Sequence, residues 1–265
     1  MRAVILAAGR GGRLSGIVGE RPKGLAVAGD CTLIERQIRV LRAAGIERIA
    51  VVAGFRAALV RRVCGASIDI VENRRFASTN SLYSLWLARD LLTDGFVVLN
   101  CDVLFHPQLL VDLLTARYED ALLMAARGDG VTYSDEEMKV RVRGGRVVAI
   151  DKAMPSRWAD GENVGIAKFG RTGAAHLIEA MSAIVRARGV QHWLPRAFAA
   201  FAATRALHAV DTRGLPWIEI DFPEDYWRAL SEVLPAIDAE VRWHAQERVL
   251  PAAVGSGSGR TVQHV

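Results

Sequence analysis

Short apolar runs alternate with amphipathic stretches through the first hundred residues. The runs are bounded by glycine or polar residues, a pattern that is typical of buried strands. They predict strands over residues 2–7, 48–53, 67–71 and 96–100. Between them, apolar side chains at helical spacing predict helices that include residues 33–44, 55–63 and 80–92. This alternation favours a parallel sheet covered by helices on both faces.

The helix after Thr32 has the clearest boundaries of these elements. Thr32 is a favourable N-cap, and Glu35 stands three residues later, as a capping box requires. Gly45 is expected to end the helix, because glycine readily adopts the left-handed conformation found just beyond helix ends.

The second half of the chain is less regular. Strands are predicted over residues 121–126, 139–142, 147–151, 164–169, 206–210 and 217–220. Helices are predicted over residues 171–188, over residues 193–203 and from Pro223 onward. We interpret these strands as a small inserted sheet layer within a single α/β domain over residues 1–250. Glycine and serine alternate over residues 255–259, which predicts a flexible tail over residues 251–265.

Composition narrows the class of protein. Hydrophobic residues make up 51% of the 265 residues and charged residues 24%, so a sizeable core is available and general disorder is excluded. The apolar runs are too short to cross a bilayer, and no signal peptide is recognisable, so we expect a cytoplasmic protein with no membrane partner. Three widely spaced cysteines exclude a disulfide scaffold and a CxxC metal site.

The net charge of +5 is compatible with nucleic acid, an acidic surface or phosphorylated small molecules as a partner. No helix-turn-helix, zinc-finger or RNA-recognition pattern accompanies the basic residues, so no nucleic-acid partner is expected. The six histidines share no spacing that indicates a Ser/His/Asp triad or a metal site. Solvation at the surface accounts for most of the arginines, and only those near the glycine loop indicate a specific ligand.

The loop after the first predicted strand carries the strongest chemical signal. Gly9, Gly11 and Gly12 allow the backbone to approach a phosphate chain closely. Arg13 and Lys23 supply positive charges that offset the electrostatic repulsion among the phosphates of a bound triphosphate. The loop is neither a Walker A motif, because Lys23 follows proline and precedes no Ser or Thr, nor a dinucleotide fingerprint, because the third glycine is missing.

Residues 6–14 (LAAGRGGRL) and 22–25 (PKGL) resemble the signature of the sugar-phosphate nucleotidyltransferase superfamily. Residues 80–85, 135–140 and 217–225 further resemble the branch of CTP:phosphocholine and phosphonate cytidylyltransferases. The resemblance covers roughly residues 1–230. It implies a Rossmann-like mixed, mainly parallel sheet flanked by helices, of the nucleotide-diphospho-sugar transferase type.

The resemblance also implies where the nucleotide binds. Residues 1–120 are expected to hold mainly the nucleotide and residues 121–250 mainly the acceptor. The nucleotide-binding candidates are Leu6, Ala8, Gly9, Gly11, Gly12, Arg13, Lys23, Asn80 and Ser81. Asn80 also has a simpler interpretation as a helix N-cap.

Mg²⁺ is the cofactor that the resemblance implies. Asp102, after the fourth predicted strand, matches an aspartate that binds Mg²⁺ in the family. Asp221 matches the second metal carboxylate, with Glu219 and Asp225 as close alternatives.

Arg13, Lys23 and Lys152 are the catalytic candidates that the resemblance implies. Lys152 is expected to hold the acceptor phosphate. The other acceptor-binding candidates are Glu162, Asn163, Tyr83 and Trp193.

The resemblance therefore implies transfer of CMP from CTP to a small phosphorylated or phosphonate acceptor, with release of pyrophosphate. A choline head group favours aromatic side chains, whereas a primary ammonium favours carboxylates such as Glu136 and Glu162. A sugar phosphate requires several neutral hydrogen-bonding groups, which are scarce around residues 162–163. The alternatives are a sugar-1-phosphate nucleotidyltransferase and a non-catalytic nucleotide-sensing subunit. A homodimer is left open.

Overall fold

The computed structural model describes residues 1–247. The predicted tail, residues 251–265, and the last three residues of the predicted domain lie outside the described residues. Within the described part of the chain, no helix combines the length and the apolar character that crossing a membrane requires.

Thirteen strands are formed by residues 1–247. They are β1 (Arg2–Ala7), β2 (Val27–Ala28), β3 (Cys31–Thr32), β4 (Ile49–Ala53), β5 (Asp69–Glu72), β6 (Phe96–Asn100), β7 (Val103–Phe105), β8 (Ala121–Ala126), β9 (Lys139–Arg143), β10 (Arg146–Asp151), β11 (Gly161–Phe169), β12 (His208–Asp211) and β13 (Trp217–Glu219).

The helices in the same residues are α1 (Ser15–Val18), α2 (Leu33–Ala43), α3 (Ala57–Cys64), α4 (Ser81–Leu87), α5 (Pro107–Thr115), α6 (Arg171–Arg186), α7 (Pro195–Ala202), α8 (Pro223–Arg228) and α9 (Leu234–Glu247). A π-helical segment, Ala229–Val233, connects α8 to α9.

Nine strands form one sheet in the order β5-β4-β1-β6-β11-β8-β12-β10-β9. The first four are parallel, as the alternation of strands and helices predicts. Beyond β6 the pairings are antiparallel apart from β8–β12, so parallel strands predominate only in the first half. β9 also pairs with β11, so this end of the sheet curls back on itself. The strands of the second half are thus continuous with the main sheet.

Both faces of the parallel part are buried. Val4 and Leu6 of β1 contribute to one apolar cluster, together with side chains of α4, α6 and α7. Ala3 and Ile5 contribute to a second cluster on the opposite face, together with α2, α3 and α5. This alternation follows from the two-residue period of a strand. It confirms the prediction of helices on both faces.

The carboxyl ends of β1 and β6 meet at the same edge of the sheet. Leu6 is paired with Asn100, and the Cys101 amide donates a hydrogen bond of 3.2 Å to the Leu6 carbonyl. The glycine loop after β1 and Asp102 after β6 therefore lie side by side. Ligands of open α/β sheets bind at such an edge.

A separate two-stranded sheet brings residues 217–221 to this edge. β13 pairs antiparallel with β7, with Glu219 opposite Val103. The Ile220 amide donates a hydrogen bond of 3.0 Å to the Asp102 carbonyl. Because of this pairing, Glu219 and Asp221 lie close to Asp102.

The helix α2 confirms the predicted capping box. The Glu35 amide donates to Thr32 Oγ1 at 3.3 Å, and the Thr32 amide donates to Glu35 Oε2 at 2.9 Å. The chain then turns at Gly45, which has a φ of 80°. α5 and β7 were absent from the elements that the sequence predicted, and β11 begins earlier than the predicted residue 164.

Candidate active site

A cavity of about 280 Å³ opens at the carboxyl ends of β1 and β6. Most of the candidates from the sequence lie on its wall: Leu6, Ala8, Gly9, Gly11, Arg13, Lys23, Asn80, Ser81, Asp102, Lys152, Asn163, Trp193 and Asp221. Nucleotide, metal and acceptor candidates therefore share one cavity.

Three candidates are not among the residues that line this cavity. Gly12 begins the 3₁₀ turn that follows the glycine loop. Tyr83 is buried and stacks on Trp86, with ring centroids 5.5 Å apart. Glu162 is largely buried in β11. Their roles in binding stay predictions.

The glycine loop packs tightly against Lys23. Gly11 has a φ of 65°, in the left-handed region that favours glycine. A Cβ atom at this position would lie 2.5 Å from Lys23 Cβ. Glycine is therefore required at position 11 both for the left-handed backbone conformation and for the close approach of Lys23.

Gly11→Ala is expected to lower kcat/KM for the nucleotide about 10- to 100-fold, because a shift of a catalytic group by about 1 Å can have such an effect. Initial-rate kinetics check this. Gly16→Ala is the matched control, since Gly16 lies in α1 and an added Cβ there meets no atom within 4 Å. Equal losses in both variants would contradict the specific role of Gly11.

Lys23 lies between two carboxylates. Its Nζ is 2.5 Å from Asp102 Oδ2 and 2.5 Å from Asp221 Oδ1. Burial lowers the pKa of Lys23, but the two carboxylates outweigh this, and the net pKa is raised. The ammonium in turn lowers the pKa of Asp221 against the opposing effect of burial. Lys23 is thus a fixed positive charge in the cavity.

Asp102, Glu219 and Asp221 can offer ligand atoms that all lie within 4.8 Å of one another. Asp102 Oδ1 is buried and has no hydrogen-bond partner in the described part of the chain. Mg²⁺ prefers carboxylate oxygens and keeps several waters when it binds. The donor set and the unpartnered oxygen therefore fit a hard divalent cation.

Glu219 is the member of this group that the sequence left as an alternative. Burial, together with the charges of Asp102 and Asp221, raises its pKa to about 8. Its position two residues before Asp221 was the available signal, because alternate residues of a strand share a face. The other alternative, Asp225, instead accepts hydrogen bonds from the Asp221 and Phe222 amides at 3.1 and 2.9 Å.

The nucleotide candidates on α4 are held by a neighbouring segment. Asn80 Oδ1 accepts a hydrogen bond of 2.8 Å from the Ser81 amide, so its N-cap interpretation is confirmed. Ser81 Oγ accepts one of 2.8 Å from the Leu194 amide, and the Asn80 amide donates to the Val190 carbonyl. The start of α4 and the segment before α7 are therefore tied together beside Trp193.

Lys152, which is predicted to hold the acceptor phosphate, lies on the wall of the same cavity. Its Nζ lies 5.0 Å from the centroid of the Trp193 ring and 3.8 Å from Glu136 Oε2. Asn163 is buried close by in β11, and its Oδ1 has no hydrogen-bond partner within residues 1–247. Asn100, which the sequence did not single out, adds a second carboxamide from β6. This part of the cavity wall thus combines one cation, one aromatic face and two carboxamides.

Glu162 has a pKa raised to about 7, because burial and the Glu137 carboxylate both disfavour its charged form. Its contribution to stability is therefore present below pH 4.5 and is lost as the pH rises through about 7. Glu162→Gln, which does not titrate, is expected to be more stable than the wild type at pH 8 by about 1–3 kcal/mol.

Thermal melting at pH 5 and pH 8 measures this effect. The two proteins should melt at similar temperatures at pH 5 and diverge at pH 8. Glu179→Gln, at an exposed position on α6, is the control and should show no such divergence. A constant difference at both pH values would contradict the titration of Glu162.

Three comparisons with known proteins agree with this geometry. Residues 3–197 match the family model of the MobA-like NTP transferase domain. The chain is 34% identical over 229 residues to the bifunctional IPC transferase and DIPP synthase of Rubrobacter xylanophilus, which covers 84% of this chain and 50% of that protein. It is 32% identical over 121 residues to the choline-phosphate cytidylyltransferase of Streptococcus pneumoniae, covering 44% of this chain and 52% of the relative.

The chain spans about half the length of these two curated relatives. Among solved structures, the inositol-1-phosphate CTP transferase from T. maritima superimposes with a TM-score of 0.73 and 24% identity. This match covers 89% of the chain and 94% of that structure. It confirms the nucleotide-diphospho-sugar transferase type of fold.

Proposed function

Because the chain belongs to the family of MobA-like NTP transferase domains, we propose that it is a Mg²⁺-dependent cytidylyltransferase. It would transfer the CMP group of CTP to the phosphate or phosphonate of a small acceptor and release pyrophosphate. The observation that carries this proposal is the arrangement of Lys23, Asp102 and Asp221 in one cavity with Arg13 and Lys152. These groups combine cations for phosphates with carboxylates for a metal.

In the proposed reaction, an acceptor oxygen forms a bond to the α-phosphorus of CTP while the bond from that phosphorus to the bridging oxygen of pyrophosphate breaks. The acceptor oxygen is already ionised at neutral pH, so no general base is required. The protein supplies position and charge. Arg13 and Lys23 offset the charge of the leaving pyrophosphate, and Lys152 offsets that of the acceptor.

Asp102, Glu219 and Asp221 are the residues that would hold Mg²⁺. When bound, the ion neutralises phosphate charge. Lys23 contacts two of these carboxylates directly. This chain therefore provides a lysine and a metal site that act on the same anionic groups.

We call the part of the cavity wall that includes Lys152, Trp193, Asn100 and Asn163 the acceptor side. It favours an acceptor that carries hydroxyl groups beside its phosphate. Of the tryptophans whose side chains the structure describes, Trp193 alone lines the cavity, and the Lys152 ammonium lies near its ring. A quaternary ammonium on that face would be opposed by a like charge. Neutral hydrogen-bonding groups are instead offered by Asn163, which the sequence had already indicated, and by Asn100, which the structure adds to the same cavity. Inositol 1-phosphate, named for the T. maritima structure, is such an acceptor.

An acceptor panel tests this function. The protein is incubated with Mg²⁺, one nucleoside triphosphate and one acceptor, while pyrophosphate release and the product mass are followed. The panel contains inositol 1-phosphate, phosphocholine, 2-aminoethylphosphonate and hexose 1-phosphates. We expect turnover with CTP, with the hydroxyl-bearing alcohol phosphate preferred over phosphocholine.

The same panel separates the alternatives. Turnover with hexose 1-phosphates alone would support a sugar-1-phosphate nucleotidyltransferase and overturn the proposal. Nucleotide binding without turnover of any acceptor would support the nucleotide-sensing subunit. A preference for phosphocholine would retain the activity but overturn the argument from Lys152 and Trp193.

A further inference from the structure

Glu136 connects the two sides of the cavity. Its Oε2 lies 3.2 Å from Arg13 Nη1 and 3.8 Å from Lys152 Nζ. A single carboxylate oxygen therefore contacts both the nucleotide-side and the acceptor-side cation. Glu136 lies in the connection between β8 and β9, and neither cation comes from that connection.

The two cations are held by other groups as well. The Arg13 guanidinium lies 4.6 Å from the centroid of the Phe222 ring and 3.8 Å from Asp221. Lys152 lies over the Trp193 ring. Each cation thus keeps a contact on its own side of the cavity if the Glu136 carboxylate leaves.

We propose that Glu136 is a positioning residue that couples the binding of the two substrates. This inference rests on the proposed function, in which Arg13 binds nucleotide phosphates and Lys152 binds the acceptor phosphate. Whichever anion binds first must displace the Glu136 carboxylate from its cation. Repulsion between that anion and the carboxylate then also frees the second cation, so the second substrate does not have to break the same contact.

This coupling offsets part of the repulsion between two anionic substrates. The side chains of Arg13 and Glu136 are each about half exposed. Exposed ion pairs of this kind change an equilibrium by about two- to fivefold. We therefore expect Glu136 to change the coupling between the two substrates by about two- to fivefold. This contribution of Glu136 should decline with added salt.

Glu136→Gln is the central variant, and Asp135→Asn is its matched control. Asp135 is an exposed neighbour in the same connection and contacts neither cation in the described structure. Both variants remove one negative charge and change the net charge equally. A specific effect of the Glu136 contacts is therefore separated from a general change in potential.

Calorimetric titration with α,β-methylene-CTP and Mg²⁺ gives the affinity of the nucleotide side. The titration is repeated with saturating inorganic phosphate, which occupies the acceptor side. The coupling factor is the ratio of the two affinities. We expect Glu136→Gln to bind each ligand alone about two- to fivefold more tightly and to have a coupling factor that is lower than that of the wild type by the same factor.

The control should keep the wild-type coupling factor. An unchanged coupling factor in Glu136→Gln, or an equal change in Asp135→Asn, would overturn the inference. A loss of acceptor affinity in Glu136→Gln would overturn it too, because it would make Glu136 a ligand of the acceptor.

Two further measurements keep the result interpretable. Thermal melting identifies a variant that does not fold, and the coupling factors of the wild type and of Glu136→Gln are then compared at low and high salt. A ratio of these two coupling factors that does not decline with salt would overturn the inference. Turnover of the wild type in the acceptor panel separates this outcome from a failure of the proposed function.

Discussion

Asp102→Asn is expected to lower kcat by about a thousandfold, the largest effect of any single substitution in the cavity. The change removes a charged member of the carboxylate group formed with Glu219 and Asp221. It also removes one of the two carboxylates that contact Lys23. Steady-state kinetics with saturating CTP and acceptor measure the loss, and titration with Mn²⁺ should show weaker metal binding.

Asp112→Asn is the matched control for this substitution. Asp112 forms an ion pair with Arg213, and neither residue lines the cavity. Its kcat and its Mn²⁺ affinity should be those of the wild type. A wild-type kcat in Asp102→Asn would show that the assignment of the metal site is wrong.

Lys23→Met is expected to lower kcat/KM about 100- to 1,000-fold, because it removes a preorganised cation from the phosphate site. It should also destabilise the metal-free protein by about 3–5 kcal/mol, since removal of one partner leaves a largely buried carboxylate uncompensated. Added Mg²⁺ should restore part of this stability, because the same carboxylates fit a divalent cation. Melting curves with EDTA and with Mg²⁺ measure this difference.

Lys168→Met is the control that separates the loss of activity from the loss of stability. Lys168 is also a largely buried lysine, but its ammonium donates to the Leu114 and Ala116 carbonyls, away from the cavity. This variant should lose stability that Mg²⁺ does not restore, and it should keep kcat/KM. Retained pyrophosphate release in Lys23→Met would contradict the role of Lys23.

Local patterns in the sequence were sufficient for the first half of the fold. The capping box at Thr32, the apolar strands and the glycine loop each depend on residues that are close in the chain. The shared edge of the sheet follows from the parallel arrangement of β1 and β6. For these reasons, Gly11 and Asp102 could be placed near a ligand before the structure was known.

Features that depend on distant pairing were not predictable in the same way. β7 is a three-residue strand whose partner, β13, comes more than 100 residues later in the chain. β11 is longer than its apolar pattern because its first residues pair with both β8 and β9. Asn100 became a site candidate only in the structure, and Glu136, which the sequence had offered as a carboxylate for a primary ammonium, was found there to contact Arg13 and Lys152.

α5 is different, because a local signal for it existed. Pro107 occupies its first turn, a favourable position for proline. The cap is His106, whose Nδ1 accepts a hydrogen bond of 3.1 Å from the Gln108 amide. Histidine is not among the residues preferred at an N-cap, so the start of the helix was easy to overlook.

The pairing of β7 with β13 has a consequence for biosynthesis. Lys23 and Asp102 leave the ribosome long before Asp221, which β13 later delivers to them. A nascent chain that stops before residue 217 contains the glycine loop but not the second carboxylate partner of Lys23. Asp221 is therefore the last of these three charged side chains to be synthesised, and Lys23 can complete both of its ion pairs only after β13 has been translated.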